Sequence, residues 1–348
     1  MRAINFTTQY PEFLFPGKTQ YEESSVTSDI TSERLLNSIN PLSWIRTAKK
    51  ISAQKTNLVI FKHWMPFFAP AFGTVVRRLK SNLSPRILVI CDNIIPHETH
   101  WYDILVTRYF FNVVDYFIVM SRSVENDLLT LYPNAKNRYA PHPIYNIFGK
   151  LIDKVRAKKA LGLTAQKVIL YFGYIRHYKG LDLLIEATAK LKNQLDDFVV
   201  LAVGECYENE QRYMNSIQKH NVSELFDLRM QFVPDSDVAL YFSAADIVAL
   251  PYKSATQSGI VNIAYHFNKP VLVTNVGGLP EIVPDGEVGY VVEANNPSAI
   301  ADGIIDFYKN NRSEFMIKNV MKHKKQFSWD EFARTIENCA EEENTRDI

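Results

Sequence analysis

The sequence predicts an α/β protein of two domains, and its length, its composition and the order of its apolar runs lead to this fold class. A chain of 348 residues is longer than one hydrophobic core usually organises, and 47% apolar with 22% charged residues is typical of a globular protein. Short apolar runs such as 86–91 and 168–173 indicate buried parallel strands, and each precedes a stretch with helical periodicity. This alternation predicts open, mostly parallel sheets covered by helices.

Charge and cysteine usage exclude several classes of protein. A formal net charge of +1 leaves no basic footprint for a nucleic-acid partner. The cysteines, Cys91, Cys206 and Cys339, are odd in number and widely spaced, which indicates neither a disulfide framework nor a zinc site. No apolar run reaches the roughly 20 residues of a bilayer span, and the first residues lack the apolar core of a signal peptide. We therefore expect a cytoplasmic protein.

The first half of the chain opens irregularly. Residues 4–8 are consistent with a strand, and residues 33–39 and 43–53 are predicted helices that precede a strand at 57–61. Further along, helix 100–112, strand 116–120 and a helix capped by Ser121 continue the alternation. Residues 144–164 are rich in Lys and Arg and are predicted to form a linker and a helix.

Residues 62–80 combine an aromatic loop with a helix that carries Arg77, Arg78 and Lys80. Aromatic side chains beside cations suggest an interfacial surface for lipid headgroups or a lipid-linked substrate at the inner face of the membrane. Packing of the aromatic rings in the domain core, with a solvated basic helix face, explains the same residues. We favour the core-packing interpretation.

Polar residues follow the strand at 86–91. Asp92, Asn93 and, shortly afterwards, His97 stand where open α/β sheets bind ligands, beyond the carboxyl end of a strand. We take these three as candidate ligand contacts. His97, Glu98 and His100 do not have a recognised metal-ligand spacing, so we do not expect a metal site here.

In the second half, a strand at 168–173 leads through a loop from Gly173 to Gly180 into an amphipathic helix at 181–191. Arg176 and Lys179 lie on that loop, where Arg offers a planar fork and Lys a point charge to a diphosphate. Isolated charges are more often solvated surface. Their place between two glycines at the carboxyl end of a strand favours an anion site.

Polar or small residues also follow the carboxyl ends of two further predicted strands. Gly204 and Glu205 follow the strand at 198–203. The stretch 251–262 follows an apolar run and precedes an apolar helix, and its Ser258 and Gly259 leave room for a ligand to approach backbone N–H groups at the helix start. A phosphate or diphosphate is the natural ligand of such a loop, although a polar loop that only caps a helix has the same pattern.

Several ordered motifs within residues 165–300 resemble those of the retaining glycosyltransferases of family 4. The first half is similar to the same enzymes more loosely, and Phe327-Ser328-Trp329 resembles their aromatic-Ser-Trp ending. The motifs are Gly173…Arg176…Lys179-Gly180, residues 245–251, Ser258-Gly259, Lys269-Pro270-Val271, Gly277-Gly278-Leu279-Pro280-Glu281 and, in the first half, Phe15-Pro16-Gly17, residues 66–70 and Asn93-Ile94-Ile95-Pro96-His97-Glu98.

The resemblance implies the α/β GT-B fold, in which two Rossmann-like domains face each other across a cleft. Residues 1–163, joined by a returning helix at 329–348, would form the acceptor side. Residues 164–328 would bind a nucleotide-diphosphate sugar. The acceptor would be a hydroxyl of a glycan or of a lipid-linked glycan in surface polysaccharide or lipopolysaccharide synthesis.

The same resemblance implies roles for the candidate residues. Arg176 and Lys179 would neutralise the leaving diphosphate, and the backbone N–H groups of Ser258, Gly259 and Ile260 would bind its distal phosphate, so no metal or other cofactor is expected. Front-face attack by the acceptor, assisted by the departing phosphate, would give retention. The remaining implied contacts are Gly173, Gly204, Glu205 and Asn262 to the donor and Asp92, Asn93 and His97 to the reacting groups.

Three departures from the family pattern bear on activity. The paired glutamates fall at Ala255 and Ile263, where neither side chain can bind hydroxyls, and Asn262 is the available substitute. The histidine that many relatives place after the fourth strand is Asp92 here. No opening strand with a Gly-rich loop is visible before residue 4, so either the N-terminus is truncated or the acceptor side is built differently.

Two other functions stay open at this point. An inactive sugar-nucleotide-binding partner subunit would explain the missing glutamates. A GT-B-fold sugar-nucleotide epimerase is less favoured, because acid and base carboxylates are not evident in the loops. Hydrolysis of a donor without acceptor would distinguish a transferase from an inactive binding protein.

Overall fold

The computed structural model describes residues 2–11, 30–95, 101–255 and 257–342. The chain divides into two compact units: unit 1 comprises Met1–Ala140 with Arg334–Ile348, and unit 2 comprises Pro141–Ala333. Among the described residues, none of the helices combines the length and the apolar character that crossing a bilayer requires.

Strands and helices alternate through both units, as the sequence predicts, and are numbered here in chain order. The strands are β1 (Arg2–Thr8), β2 (Thr31–Asn37), β3 (Leu58–His63), β4 (Arg86–Cys91), β5 (Tyr116–Val119), β6 (Asn137–Tyr139), β7 (Lys167–Phe172), β8 (Phe198–Val203), β9 (Phe226–Arg229), β10 (Ile247–Leu250), β11 (Val271–Thr274) and β12 (Gly289–Val292). The helices are α1 (Pro41–Ser52), α2 (Ala69–Asn82), α3 (Trp101–Phe111), α4 (Arg122–Leu131), α5 (Lys154–Leu161), α6 (Leu181–Leu191), α7 (Glu210–Lys219), α8 (Asp235–Ala244), α9 (Gly259–His266), α10 (Leu279–Ile282), α11 (Pro297–Lys309), α12 (Ser313–His323) and α13 (Trp329–Glu341).

The sheet of unit 2 has six parallel strands in the order β12-β11-β10-β7-β8-β9. Apart from Lys167 at the start of β7, its central strands are apolar, as expected for strands buried on both faces, and one apolar core lies on each side of the sheet. The chain order reverses between β7 and β10. Open α/β sheets bind ligands beyond the carboxyl ends of the strands at such a reversal, so the loops that follow β7 and β10 are the place to look for a site.

Unit 1 contains a four-stranded parallel sheet in the order β3-β4-β5-β6 and a separate parallel pair of β1 and β2. The predicted helix at 33–39 is wrong, because this segment is β2. It pairs with β1 from Arg2 opposite Thr31 onwards, and Leu36 is buried in the unit 1 core. Partners from a distant strand outweigh the local preference, which the sequence pattern alone does not reveal.

The boundaries of the units differ in position from those expected from the sequence. The sequence placed the first boundary at residues 163 and 164, whereas the compact units divide after Ala140. Residues 141–163 belong with unit 2, since the backbone N–H of Ile152 donates to Ser243 Oγ at 3.0 Å and that of Ile144 to the Phe327 carbonyl at 2.9 Å. The chain end belongs with unit 1, where Tyr116 Oη donates to Glu342 at 2.9 Å.

The aromatic residues of 62–80 pack inward. Phe68 is fully buried and Phe72 nearly so, and their rings lie 5.2 Å from Phe6 and 5.1 Å from Phe61, respectively. Arg78, on the helix that follows, is exposed. This confirms the interpretation of this stretch as core packing with a solvated basic helix face, so its aromatic rings do not supply an apolar surface for lipid.

Candidate functional site

The loops after β7 and β10 are joined to each other. The backbone N–H of Lys253 donates to the carbonyl of Tyr178 at 2.7 Å. Gly180 has a φ of +70°, and a Cβ there would lie 1.9 Å from the carbonyl oxygen of Pro251, so only glycine allows the two loops to approach this closely. The order of the strands in the sheet thus brings together residues that lie about 75 positions apart in the chain.

Two residues predicted from separate motifs, Lys179 and Ile260, meet beside Gly173. This glycine has a φ of +107°, and a Cβ placed on it would lie 3.3 Å from Ile260 Cδ1 and 3.4 Å from Lys179 Nζ. Lys179 comes from the loop after β7, and Ile260 from the first turn of α9. The missing side chain of Gly173 therefore leaves a small space lined by the Lys179 ammonium group and by the aliphatic side chain of Ile260 in the first turn of α9.

Lys179 is partly buried and sits near Tyr252, with Nζ 5.4 Å from the centre of that ring. No carboxylate of the described residues forms a salt bridge with it. Burial, with a smaller contribution from the charge of Arg176, lowers the pKa of the Lys179 ammonium to about 8. A cation that is poorly solvated and unpaired in this way gains most from an arriving negative charge.

Arg176 is exposed and stacks on Tyr207, with its guanidinium carbon 4.9 Å from the ring centre. Tyr207 donates its hydroxyl proton to Glu205 at 3.0 Å. Glu205 therefore accepts a hydrogen bond from the ring on which Arg176 stacks. The structure brings Arg176 and Glu205 together around Tyr207.

Gly204 is required by a close approach of two backbones. Its φ is +149°, and a Cβ would stand 2.0 Å from the carbonyl oxygen of Gly173. The N–H of Gly173 in turn donates to the carbonyl of Val203 at 3.0 Å. Gly204 thus fixes the position of Gly173 and contributes to the site through the backbone.

The first turn of α9 is in contact with two tyrosines, Tyr145 and Tyr252, for which the sequence motifs predicted no role. Ser258 is buried, makes no side-chain capping bond and lies with Oγ 3.2 Å from Tyr252 Oη. A Cβ at Gly259 would be 3.2 Å from the ring of Tyr145, so that ring covers one side of the first turn. The N–H groups at the start of a helix have no partner within it, which leaves those of Gly259 and Ile260 available to an anion.

Asn262 lies one turn after Ser258 on the same side of α9 and is 4% exposed. No hydrogen bond joins its side-chain amide to any other described residue. Of the two positions where the glutamates of the family fall, Ile263 is buried in the core, and Ala255 packs against that core. Asn262 is accordingly the polar side chain that this helix can offer to a sugar or ribose hydroxyl.

A set of charged residues in and beside the two loops forms contacts that the sequence motifs did not predict, although Lys253 and His177 stand in the stretches already singled out. Lys253 forms an ion pair with Asp182 at 2.5 Å, with each side chain less than one-fifth exposed, and its Nζ is 3.3 Å from the His177 ring. Arg212 reaches both Asp182, at 3.6 Å, and His177, at 3.2 Å. These contacts tie the loop after β10 to α6 and α7. Because the paired residues are far apart in the sequence, no short motif predicts these ion pairs.

The residues predicted to contact the acceptor lie in unit 1. Asp92 follows β4 and forms a salt bridge with Lys62 at 3.2 Å, while its N–H continues the strand pairing with the carbonyl of His63. The side-chain oxygen of Asn93 is buried and accepts no hydrogen bond from the other described residues. His97 lies outside the described residues. The placement of Asp92 and Asn93 beyond the carboxyl end of a parallel strand agrees with the prediction.

Sequence comparison relates the second half of the chain to a known family. Residues 153–324 match the family described as "Glycosyl transferases group 1". A D-inositol 3-phosphate glycosyltransferase of Corynebacterium aurimucosum is 32% identical over 190 residues, which are 53% of this chain and 45% of that relative. The chain therefore spans less than half the length of this relative. An uncharacterized glycosyltransferase of Methanocaldococcus jannaschii is 29% identical over 283 residues, covering 78% of this chain and 72% of the relative.

Structural comparison extends over most of the chain. The crystal structure of HepE from Anabaena, in complex with UDP, aligns with a TM-score of 0.71 and covers 89% of this chain and 86% of that one. Its sequence identity is 16%, so this likeness concerns the fold alone. It confirms the predicted GT-B fold with two Rossmann-like domains.

Proposed function

From the premise that residues 153–324 form a group 1 glycosyltransferase domain, we propose that this protein transfers a sugar from a nucleotide-diphosphate sugar to an acceptor hydroxyl with retention of configuration. The observation that carries the proposal is the convergence of Lys179 Nζ, the start of α9 and the empty side-chain position of Gly173. An ammonium group beside a residue in the first turn of a helix, where N–H groups have no partner within the helix, favours a diphosphate site.

The charges of the site fit the change that occurs during glycosyl transfer. When the bond between the anomeric carbon and the diphosphate breaks, negative charge develops on the phosphate oxygen that leaves. Lys179 and the N–H groups of Gly259 and Ile260 stabilise this charge, and Arg176 adds a second cation from the stack on Tyr207. These groups are preorganised by packing, so they stabilise the transition state more than the ground state.

Retention follows from attack on the same face from which the diphosphate departs. The bond from the anomeric carbon to the phosphate oxygen breaks, and the bond to the acceptor oxygen forms on that face. The proton of the acceptor hydroxyl passes to the departing phosphate oxygen, so neither a protein nucleophile nor a metal ion takes part. Asn262 orients the donor through its hydroxyl groups in place of the family's glutamates.

UDP-sugars are the first donors to test, because the structurally similar HepE of Anabaena binds UDP. The acceptor is a hydroxyl of a glycan or of a lipid-linked glycan, and surface polysaccharide or lipopolysaccharide assembly is the process that we propose. Asp92 and Asn93, and His97 from outside the described residues, contact the acceptor or the reacting sugar. Assay of the preferred donor against glycan and lipid-linked acceptors tests this part separately.

The decisive experiment measures stabilisation of the protein by UDP-, GDP- and ADP-sugars in the presence of EDTA. One nucleotide class should raise the unfolding midpoint of the wild type, and Arg176→Ala with Lys179→Ala should abolish the shift. The double substitution Arg156→Ala with Lys159→Ala is the matched control, because it removes two cations from α5 in the same unit. It should leave the shift unchanged.

Turnover then decides between the candidate functions. Slow hydrolysis of the stabilising donor without acceptor, unaffected by EDTA, supports a metal-independent transferase. Binding without hydrolysis or transfer to any acceptor supports an inactive partner subunit, and conversion of the donor to its epimer supports an epimerase. Equal shifts in wild type and the Arg176 and Lys179 variant would refute the proposed donor site.

A further inference from the structure

Lys179 is carried by a short 3₁₀ turn, residues 177–179, which we call the Lys179 turn. The backbone N–H of Lys179 donates to the carbonyl of Arg176 at 2.9 Å, and that of Gly180 donates to the carbonyl of His177 at 3.2 Å. A turn this short has few internal hydrogen bonds, so its geometry depends on contacts with neighbouring segments. The residues that supply those contacts determine where the ammonium group of Lys179 lies.

One set of contacts to the Lys179 turn comes from the loop after β8. The Glu208 carboxylate accepts a hydrogen bond from the backbone N–H of His177. Its other oxygen accepts one from the hydroxyl of Tyr213 at 2.9 Å. Tyr213 is 1% exposed and belongs to an apolar core of unit 2. Glu208 therefore joins the beginning of the turn to a fixed point in the core.

The other set of contacts comes from the loop after β10. The backbone N–H of Lys253 donates to the carbonyl of Tyr178 at 2.7 Å. The ammonium group of Lys253 lies 3.3 Å from Nδ1 of His177 and 2.5 Å from a carboxylate oxygen of Asp182. Asp182 is in the first turn of α6, where the helix dipole favours a negative charge. The ion pair thus anchors the Lys179 turn to a helix.

We propose that Glu208 and the ion pair of Lys253 with Asp182 are positioning residues for the reaction. They hold the ammonium group of Lys179 beside Gly173 before the donor arrives. This inference rests on the proposed function, in which Lys179 contacts the diphosphate. A lysine side chain is flexible, so holding it in place beforehand removes an entropic cost of binding and leaves a preorganised charge for the transition state.

The pKa of Lys179 reports on this positioning in the free protein. Burial and the charge of Arg176 lower that pKa from 10.5 to about 8. These causes do not include the charges of Glu208 and Lys253, so a change of the pKa in their variants measures a change in the burial of the Lys179 ammonium group. The measurement needs no donor, and it therefore tests the positioning role separately from the proposed function.

Trace acetylation measures this pKa, because only the neutral amine reacts with acetic anhydride. Mass spectrometry follows the modification of Lys179 as a function of pH. We expect a titration midpoint of about 8 for the wild type. Lys253→Met and Glu208→Ala should each raise the midpoint by at least about one pH unit. Glu208→Gln keeps an oxygen that accepts from the N–H of His177, so it should restore most of the wild-type behaviour.

Two variants elsewhere in unit 2 are matched controls. Lys154→Met removes a partly buried ion pair with Asp246, as Lys253→Met removes that with Asp182. Asp306→Ala removes a carboxylate that accepts from the hydroxyl of Tyr290 at 2.6 Å, as Glu208→Ala does for Tyr213. Both controls should keep the wild-type titration midpoint of Lys179, even where they unfold at a lower temperature.

Calorimetry with UDP then tests the consequence for binding. Lys253→Met and Glu208→Ala should each bind UDP about tenfold more weakly than the wild type. In a Lys179→Ala background, Lys253→Met should cause no further loss, because its effect passes through Lys179. Additive losses would show that Lys253 contacts the diphosphate itself and would overturn its positioning role.

The two measurements distinguish failure of this inference from failure of the proposed function. Wild-type titration midpoints in both Lys253→Met and Glu208→Ala would overturn the positioning role. Shifted midpoints together with no binding of UDP by the wild type would support the positioning of Lys179 and refute UDP as the ligand. Thermal unfolding confirms that each variant is folded, and since Glu208 and Lys253 act from different loops, one folded variant is enough for the test.

Discussion

The Nζ of Lys179 lies 3.4 Å from the point where a Cβ of Gly173 would project, and Ile260 of α9 lies at a similar distance. The glycine therefore controls the space beside the ammonium group. Replacing it with alanine adds a methyl group to that space and forces an L-residue into a φ of +107°, which costs about 1–3 kcal/mol of stability. We expect Gly173→Ala to unfold at a lower temperature and to bind the donor at least about tenfold more weakly.

Gly286→Ala is the control for the cost of backbone strain. Gly286 also has a positive φ, of +72°, but a Cβ there meets no atom within 4 Å. It should lose stability while keeping wild-type affinity for the donor, as measured by calorimetry. If both variants lost the same affinity, the space beside Lys179 would not be the binding site of the diphosphate.

The second prediction concerns pH. The pKa of Lys179 in the free protein is lowered from 10.5 to about 8 by burial and by Arg176, so the ammonium loses its proton as the pH rises through about 8. The dissociation constant of a nucleotide sugar, whose diphosphate does not titrate in this range, should therefore increase above that pH. Lys179→Arg keeps its charge and should bind with little dependence on pH up to about 10. A flat profile for the wild type would contradict a contact between Lys179 and the diphosphate.

Much of the candidate site was predictable, because the residues with the relevant chemistry lie in short segments of the chain. The order of strand, Gly-containing loop and helix identified Gly173, Lys179 and the start of α9, since helix N-termini and cations near strand ends have defined physical roles. The sequence also correctly predicted the parallel α/β fold and core packing of the aromatic rings in 62–80.

The parts that the sequence did not predict depend on distant partners. The ion pair of Lys253 with Asp182 and the contact of Tyr145 with Gly259 join residues more than 70 positions apart. Strand β2 was predicted as a helix because its hydrogen-bond partner, β1, is remote in sequence. The bond of Glu205 to Tyr207 depends on a side-chain orientation that no spacing reveals, and the contact of Glu205 with a donor stays a prediction.

The third prediction concerns the hydroxyl of Tyr252. This group is buried and lies 3.2 Å from Ser258 Oγ at the start of α9. Tyr252→Phe removes one buried hydrogen bond, worth about 1 kcal/mol, and leaves Ser258 free to rotate. We expect a small loss of stability together with a several-fold loss of donor affinity, measured by calorimetry.

Tyr290→Phe provides the comparison for Tyr252→Phe. Its hydroxyl donates to Asp306 at 2.6 Å, on α11 and away from the loops of the candidate site. The variant should lose a similar amount of stability and no donor affinity. If Tyr252→Phe also kept full affinity, the hydroxyl would contribute only to packing.

The last prediction concerns His63, which is fully buried at the end of β3 against the rings of Phe110 and Phe111. Neither ring nitrogen has a hydrogen-bond partner among the described residues, and burial lowers the pKa of His63 from 6.5 to about 3. Because the folded pKa lies below the unfolded one, the unfolded state binds more protons, and stability is lost as the pH falls from about 6.5 towards 3. His63→Met removes the titrating group and two unsatisfied polar atoms. As the pH falls to about 3, the free energy of unfolding of this variant should decrease by about 2–5 kcal/mol less than that of the wild type. Denaturant unfolding at several pH values measures the free energy of unfolding of both proteins. His220→Gln, at the partly buried C-terminal cap of α7, is the control. Equal acid sensitivity of wild type and His63→Met would contradict the prediction.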